Sequence, residues 1–356
     1  MNDFVVIKEI GTGSYGKAFK ARSRTGFETV VIKRIGLTSL SLKQKSEAIN
    51  EVNVLRQLRH PYIVKHLANF IDSGHLNIVM EFANGGDLGA RITAKRAAGQ
   101  NFSEPQIARW FTQILLGLSF MHGKNIMHRD LKPQNLFLST ESDRILIGDF
   151  GVCKVMDSKQ DLARTMTGTP YYLSPEVFQL KPYSFKSDIW ALGCIFYEMA
   201  TLKVPFDAQD LRSLSLRVCR GSNPPFPVRY SSELRSTFHA IMQRDHHSRP
   251  SADSLLSRPF VKGIVTQLSC EGMSSPRKPL ARVSARTTRS LSPAIKRPPL
   301  YPNTENIPSR PNISRTPSPR AARLRSASPI PGPQSGTPRK SLVVYPPSPL
   351  KQRIAF

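Results

Sequence analysis

His128-Arg129-Asp130-Leu131-Lys132-Pro133-Gln134-Asn135 is the stretch around which the chain reads. An acid, a lysine two residues on and an asparagine five residues on can all reach one pocket from a short loop. The acid can orient a hydroxyl and accept its proton, the lysine can neutralise a phosphate in flight, and the amide can hold a metal ion. Fourteen residues after Asn135 stands Asp149-Phe150-Gly151, which supplies a second carboxylate suited to Mg2+.

Toward the N-terminus, Phe4-Val5-Val6-Ile7 reads as a strand, followed by Gly11-Thr12-Gly13-Ser14-Tyr15-Gly16 and a second strand from Lys17 to Ala21. Glycines at positions 11, 13 and 16 let a turn lie close over phosphates, because no side chain blocks the backbone. Dinucleotide-binding folds carry the same spacing, but there the glycines open a helix. Here β-favouring residues follow, including Thr29-Val30-Val31-Ile32. Lys33 ends that apolar run, where a buried ammonium needs a partner. The stretch from about Ser41 to Leu58 has helical periodicity, with Leu42, Ile49, Val52 and Leu55 largely on one face. Glu51 lies inside it, 18 residues after Lys33, and Glu47 one turn earlier competes as the partner. Tyr62-Ile63-Val64 and Leu76 to Met80 read as further strands.

Beyond these, Ser103 can cap a helix and Gln106 can reach back in a capping box. The helix from Ile107 to Met121 carries the apolar face Ile107, Phe111, Ile114, Leu115 and Leu118, and His122 near its end reads as structural. Ile145 to Gly148 is a short strand that presents Asp149. Asp188 starts an apolar helix running to about Met199, where it can cap the helix and brace the catalytic-loop backbone.

The chain has 356 residues and a net charge of +26. Of 29 prolines, 17 lie after residue 270, where 16 Lys/Arg face two acids, Glu271 and Glu305. Such a tail is expected to be disordered and to seek an acidic surface: microtubules, nucleic acid, anionic lipid or an acidic protein. It holds seven Ser/Thr-Pro steps, at Ser275, Ser292, Thr316, Ser318, Ser328, Thr337 and Ser348. Each phosphate there would remove up to about two positive charges and weaken such binding. Four widely spaced cysteines exclude a disulfide scaffold. With no signal-peptide pattern and no apolar run of membrane length, a soluble intracellular protein is expected.

Taken together, these motifs resemble the protein kinases, in that family's order over residues 4–262. The resemblance implies an α+β bilobal fold: a β-rich N-lobe over 1–82, a helical C-lobe over 83–262 and a tail over 263–356. Lys132 marks the Ser/Thr branch. Thr167-Gly168-Thr169-Pro170-Tyr171-Tyr172-Leu173-Ser174-Pro175-Glu176, with Ile78 to Phe82 and Gly85-Gly86-Asp87-Leu88, is similar to the NimA-related (Nek) kinases. The absence of sustained heptads departs from those Neks that carry a coiled coil, so no coiled-coil dimer is expected.

The resemblance assigns roles. ATP binds under Gly11, Gly13 and Gly16, with Ala18 against the adenine where the family often has Val. Glu81 and Ala83 form the hinge, Met80 the gatekeeper. Lys33, oriented by Glu51, holds the α/β phosphates; Asn135 and Asp149 hold Mg2+; Asp130 and Lys132 act on the acceptor hydroxyl and the γ-phosphoryl. Arg129 would bind a phosphate on the activation segment, with Thr165 the leading site and Thr167 the second. Thr169 reads as structural, and Val152 tilts acceptor preference toward threonine. Glu176 would pair with Arg249. Protein substrates, a cytoplasmic place near cytoskeleton or centrosome, and nuclear entry through the tail's basic clusters are expectations. The competing expectation is a microtubule- or nucleic-acid-binding scaffold whose kinase activity is secondary or lost.

Overall fold

The computed structural model describes residues 3–13, 16–24, 26, 28–38, 40–140, 143–149 and 170–274. All of them fall within one compact unit, residues 1–287. The N-lobe is an antiparallel sheet of β1 (Phe4–Gly13), β2 (Gly16–Ser23), β3 (Thr29–Gly36), β4 (His66–Asp72) and β5 (His75–Glu81), in the order β1-β2-β3-β5-β4. Residues directly opposite one another share a face. Ala18 stands opposite Lys33, and Lys33 opposite Ile78. The alternate positions Ala21, Val30, Ile32 and Val79 form a small core of their own on the other face, closed by Phe4 and Phe70. Gly13 pairs with Gly16 where β1 meets β2. A Cβ on Gly16 would sit 2.0 Å from the Arg34 carbonyl oxygen, so only glycine fits there.

Helix α1 (Leu42–Gln57) crosses the sheet, capped by Ser41 with Gln44 closing a capping box. Its buried face is Ala48, Glu51, Val52 and Leu55. This corrects the face expected from periodicity: Leu42 is 85% exposed and Ile49 59%, because packing on the sheet favours small Ala48 at the contact. A second correction concerns strands. Residues 62–64 contribute only a bridge, Ile63 to Ile147, and the fourth strand is His66–Asp72.

The C-lobe comprises α2 (Leu88–Ala97), α3 (Glu104–Gly123), the hairpin β6 (Leu136–Ser139) and β7 (Arg144–Ile147), then α4 (Pro175–Phe178), α5 (Phe185–Thr201), α6 (Leu211–Arg220), α7 (Ser232–Ile241), α8 (Ala252–Leu256) and α9 (Pro259–Ser274). Helix α3 starts at Ser103, whose Oγ accepts from Gln106 N. The Gln106 side chain does not close the box; it donates to Asp143 at 3.2 Å instead. At the start of helix α5, Ser187 Oγ accepts from Ser184 N at 3.2 Å, and Asp188, expected as the cap, is the fourth residue of the helix. The boundary expected at 262 falls within α9, which runs to Ser274 and is held by Glu271 against Arg109 of α3. No helix among the described residues is long and apolar enough to cross a membrane.

Arg249 is fully buried and donates to Glu176 at 2.8 and 3.1 Å, while Ser187 donates to the same carboxylate at 2.8 Å. Burial alone would raise the Glu176 carboxyl, but the Arg249 guanidinium outweighs it and holds the group below its ordinary value of 4.5. The pair's stabilisation is therefore present above pH 4.5 and lost as pH falls through the lower native value. Arg249→Ala should lower the unfolding free energy by about 3 kcal/mol, since it leaves a buried carboxylate unpaired. Urea unfolding at neutral pH measures this, and the variant should lack that part of the wild type's acid-dependent loss.

Candidate active site

The cleft between the lobes is assembled from three separate stretches. From β3 comes Lys33, whose Nζ donates to Glu51 Oε1 of α1 at 2.9 Å and to Asp149 Oδ1 at 3.0 Å. Burial disfavours the ammonium, yet Glu51 and Asp149 together outweigh it and raise the Lys33 pKa. Burial likewise pushes the Asp149 carboxyl up, and Lys33 more than reverses this, so Asp149 lies below the ordinary carboxylate value. Both groups are thus charged at neutral pH.

The second stretch is the loop from His128 to Asn135. Lys132 Nζ donates to Asp130 Oδ2 at 2.8 Å, and Asn135 Nδ2 donates to the same oxygen at 3.1 Å and to the Asp130 carbonyl at 2.7 Å. The loop's frame is Asp188, fully buried in α5. Its carboxylate accepts from the backbone N–H groups of His128 and Arg129, each at 2.9 Å, and from the Tyr183 hydroxyl at 2.9 Å. His122 Nε2 lies 2.9 Å from the same carboxylate. Burial would raise Asp188, and the bond from His122 leads the contacts that lower it instead. These bonds hold Arg129 at φ +68°, a conformation rare for a residue with a side chain. His128 is fully buried, its Nδ1 facing the Asp130 N–H at 3.3 Å and its Nε2 the Gly148 carbonyl at 3.1 Å. Nε2 therefore carries the proton and Nδ1 accepts, tying the loop to the residue before Asp149. Asp149 itself has φ +55°.

The third stretch is the β5–α2 connection. The Glu81 side chain accepts from Lys65 N at 2.7 Å and its backbone N–H donates to Lys65 O at 3.0 Å, so Glu81 braces the sheet as well as bordering the cleft. Lys20 lies over the Phe82 ring at 4.4 Å. Ala83 is half-buried, and Ala18 stands beside Gly11 across the β1–β2 pair.

The structure joins Lys33, Glu51 and Asp149 in one chain of ion pairs and Asp130, Lys132 and Asn135 in one cluster, with Lys132 near enough to Asp149 to favour its ionised form; Gly11, Gly13, Gly16 and Ala18 lie on β1 and β2, Glu81 ends β5 and Ala83 follows it. Nε and Nη1 of Arg129 are buried with no hydrogen-bond partner among the described residues. Val152, Thr165, Thr167 and Thr169 lie outside those residues. Where the chain re-enters, Tyr172 donates to buried Glu198 at 2.6 Å, and burial raises that carboxyl. Tyr183 and His128 were not assigned from the sequence; only their place next to charged motif residues could have drawn attention to them.

The donor set suits a metal and a nucleotide. Asp149 offers a carboxylate 49% exposed, and Asn135 spends its amide nitrogen on Asp130, leaving the oxygen for a cation. Lys33 offers a charge fixed by two carboxylates.

Residues 4–261 match the protein kinase domain model, and the chain belongs to the protein kinase family. It is 43% identical over 265 residues to serine/threonine-protein kinase Nek5 of Homo sapiens, covering 74% of this chain and 37% of that protein. It is 44% identical over 261 residues to serine/threonine-protein kinase Nek1 of Mus musculus, covering 73% and 21%, and 42% over 264 residues to probable serine/threonine-protein kinase nek3 of Dictyostelium discoideum, covering 73% and 24%. Within the family, its kinase domain is of the Nek type. The matched stretch spans about a fifth to two fifths of the length of these relatives.

Asp188→Asn replaces one acceptor oxygen with an amide and misplaces the loop. kcat should fall on the order of 10²-fold, the scale of a 1 Å misplacement. The KM for ATP, set mainly by the other lobe, should change little in steady-state assays.

Proposed function

We propose that the chain transfers the γ-phosphoryl group of ATP to serine or threonine hydroxyls of protein substrates. The observation that carries this reading is Asp130, held by Lys132 and Asn135 in the same cleft as the Lys33–Glu51–Asp149 chain of charges. Asp130 orients the acceptor hydroxyl and takes its proton. Lys132 neutralises charge that develops on the transferred group, and Lys33 holds the α/β phosphates. Mg2+, which Asp149 and Asn135 would hold, supplies further charge neutralisation when bound. The contribution of the protein is positioning and electrostatics, with no covalent intermediate.

Regulation through Thr165 belongs to the same proposal. Nε and Nη1 of Arg129, buried and without a hydrogen-bond partner among the described residues, support it, since a phosphate would satisfy them. The basic, Ser/Thr-Pro-rich tail supports a role at an acidic surface such as a microtubule, in cell-cycle, flagellar or centrosomal regulation, with phosphorylation of the tail releasing it.

The test is Mg-ATP-dependent phosphorylation of a generic Ser/Thr substrate by the full chain beside Asp130→Asn, with phosphosites mapped. Transfer should fall by on the order of 10²- to 10⁴-fold in the variant. Thr165→Ala should lose most activity. No transfer by the wild type, even after treatment with an upstream kinase, would favour the scaffold reading.

A further inference from the structure

The turn between α7 and α8 carries three metal-ligating side chains on consecutive residues, Asp245, His246 and His247. One ligand atom from each lies within 4.8 Å of the other two, and among the described residues no other three His, Cys, Asp or Glu side chains gather in this way. Asp245 and His247 are exposed and His246 is half-buried, so an ion can reach the group from solvent. None of the three belongs to the cofactor cleft.

Buried Arg249 fixes the backbone beneath them. Its N–H donates to the Asp245 carbonyl at 3.2 Å and its Nε to the Gln243 carbonyl at 3.1 Å, while the same guanidinium answers Glu176. The Asp245 carboxylate closes the turn from within. Oδ1 accepts from the His247 N–H at 3.1 Å and Oδ2 from the Ser248 hydroxyl at 2.7 Å. The bond from Ser248 leads the contacts that hold this carboxyl below its ordinary value, so it is ionised at neutral pH. Two accepted bonds leave about two of its four lone-pair sites open. The two imidazole rings stand 4.0 Å apart between centroids, and neither is engaged in a hydrogen bond among the described residues.

We propose that Asp245, His246 and His247 bind one zinc-class divalent ion through the carboxylate and one nitrogen of each imidazole. Two imidazoles with a single carboxylate suit Zn2+, Ni2+ or Cu2+, whereas Mg2+ takes oxygen ligands. Around a tetrahedral Zn2+ with bonds of about 2.0–2.1 Å, neighbouring ligand atoms stand about 3.4 Å apart. The group closes to that spacing by rotation of side chains over a backbone that Arg249 already holds, and water completes the coordination. Two neighbouring cations are directed elsewhere. Arg244 donates to the Val218 carbonyl at 2.9 Å and lies over the Phe206 ring, and Lys186 donates to the Arg249 carbonyl. A bound ion cross-links the turn that carries Arg249 and so stabilises the C-lobe. The site does not rest on the kinase reading.

The experiment uses the full chain, stripped with EDTA and returned to buffer with excess Mg2+, so that Mg2+ competes for the oxygen ligands of the cofactor cleft. Zn2+ is titrated by calorimetry, and the ring nitrogen shifts of the histidines are followed by NMR. All 8 histidines lie among the described residues, so the tail contributes none. The wild type should bind one equivalent of Zn2+ that Mg2+ does not displace, and only the His246 and His247 rings should shift. His246→Ala/His247→Ala, which leaves Arg249 untouched, should weaken binding by at least about 10²-fold, since even the partners behind metal ligands are worth about 10- to 100-fold. Asp149→Asn should bind Zn2+ as the wild type does. Zn2+ should raise the unfolding midpoint of the wild type and not that of the double variant. Equal affinity in the wild type and the double variant, shifts at other histidines, a Kd above about 1 mM, loss of binding in Asp149→Asn, or an unfolding midpoint that Zn2+ fails to raise selectively in the wild type would overturn the proposal.

Discussion

An ammonium group enclosed by two carboxylates is the constraint on which the cleft depends. Lys33 leaves the sheet at a position flanked by Ala18 and Ile78, where it loses much of its water. A cation in that place must be answered. Glu51 answers it from a helix, and Asp149 from the segment after β7. One charge therefore ties strand, helix and second lobe together. Each carboxylate also supplies the reason that the other parts need to be where they are. Glu51 needs α1 packed through Ala48, Val52 and Leu55, and Asp149 needs Gly148 held by His128 and Asn135. A Cβ at Gly148 would come within 2.8 Å of Phe137 and Val64, so the approach to Asp149 leaves no room for a side chain.

Behind the cleft, the C-lobe is held by buried acids that serve as acceptors for whole segments. Asp188 gathers the backbone of the catalytic loop, Tyr183 and His122 around one carboxylate. Glu176 gathers Arg249 and Ser187, and the Arg249 guanidinium also lies over the Trp190 ring at 5.1 Å. Both acids are kept ionised against the effect of burial because their donors are fixed by helices. The loop can then hold Arg129 in a left-handed conformation, where its strain is offset by the two bonds to Asp188.

Much of this geometry is legible in the sequence, because charges in apolar surroundings have few ways to be satisfied. Lys33 at the end of an apolar run calls for a partner and leaves Glu47 and Glu51 as candidates; the choice of Glu51 and the pairing of Glu176 with Arg249 come from the resemblance to the protein kinases. Other features are not legible for physical reasons. The apolar residues of α1 suggest a face through Leu42 and Ile49, but the sheet accepts small Ala48 and turns both of those outward. His66-Leu67-Ala68-Asn69-Phe70 lacks clean alternation because β4 is an edge strand with mixed surroundings, so its pairing partner decides it. The Gln106 side chain finds Asp143, 37 residues away, and Glu271 finds Arg109, 162 residues away. Partners so distant in the chain leave no local trace, which is why the end of α9 could not be placed.

The most direct test of the central constraint is a double-mutant cycle on kcat/KM for Lys33→Met and Glu51→Gln. If the two residues act as one unit, the double variant should be no more than about threefold slower than the slower single variant, since groups that work together lose activity non-additively. Losses that simply multiply would show that Glu51 acts independently of Lys33, and that the cleft does not depend on the enclosed ammonium group.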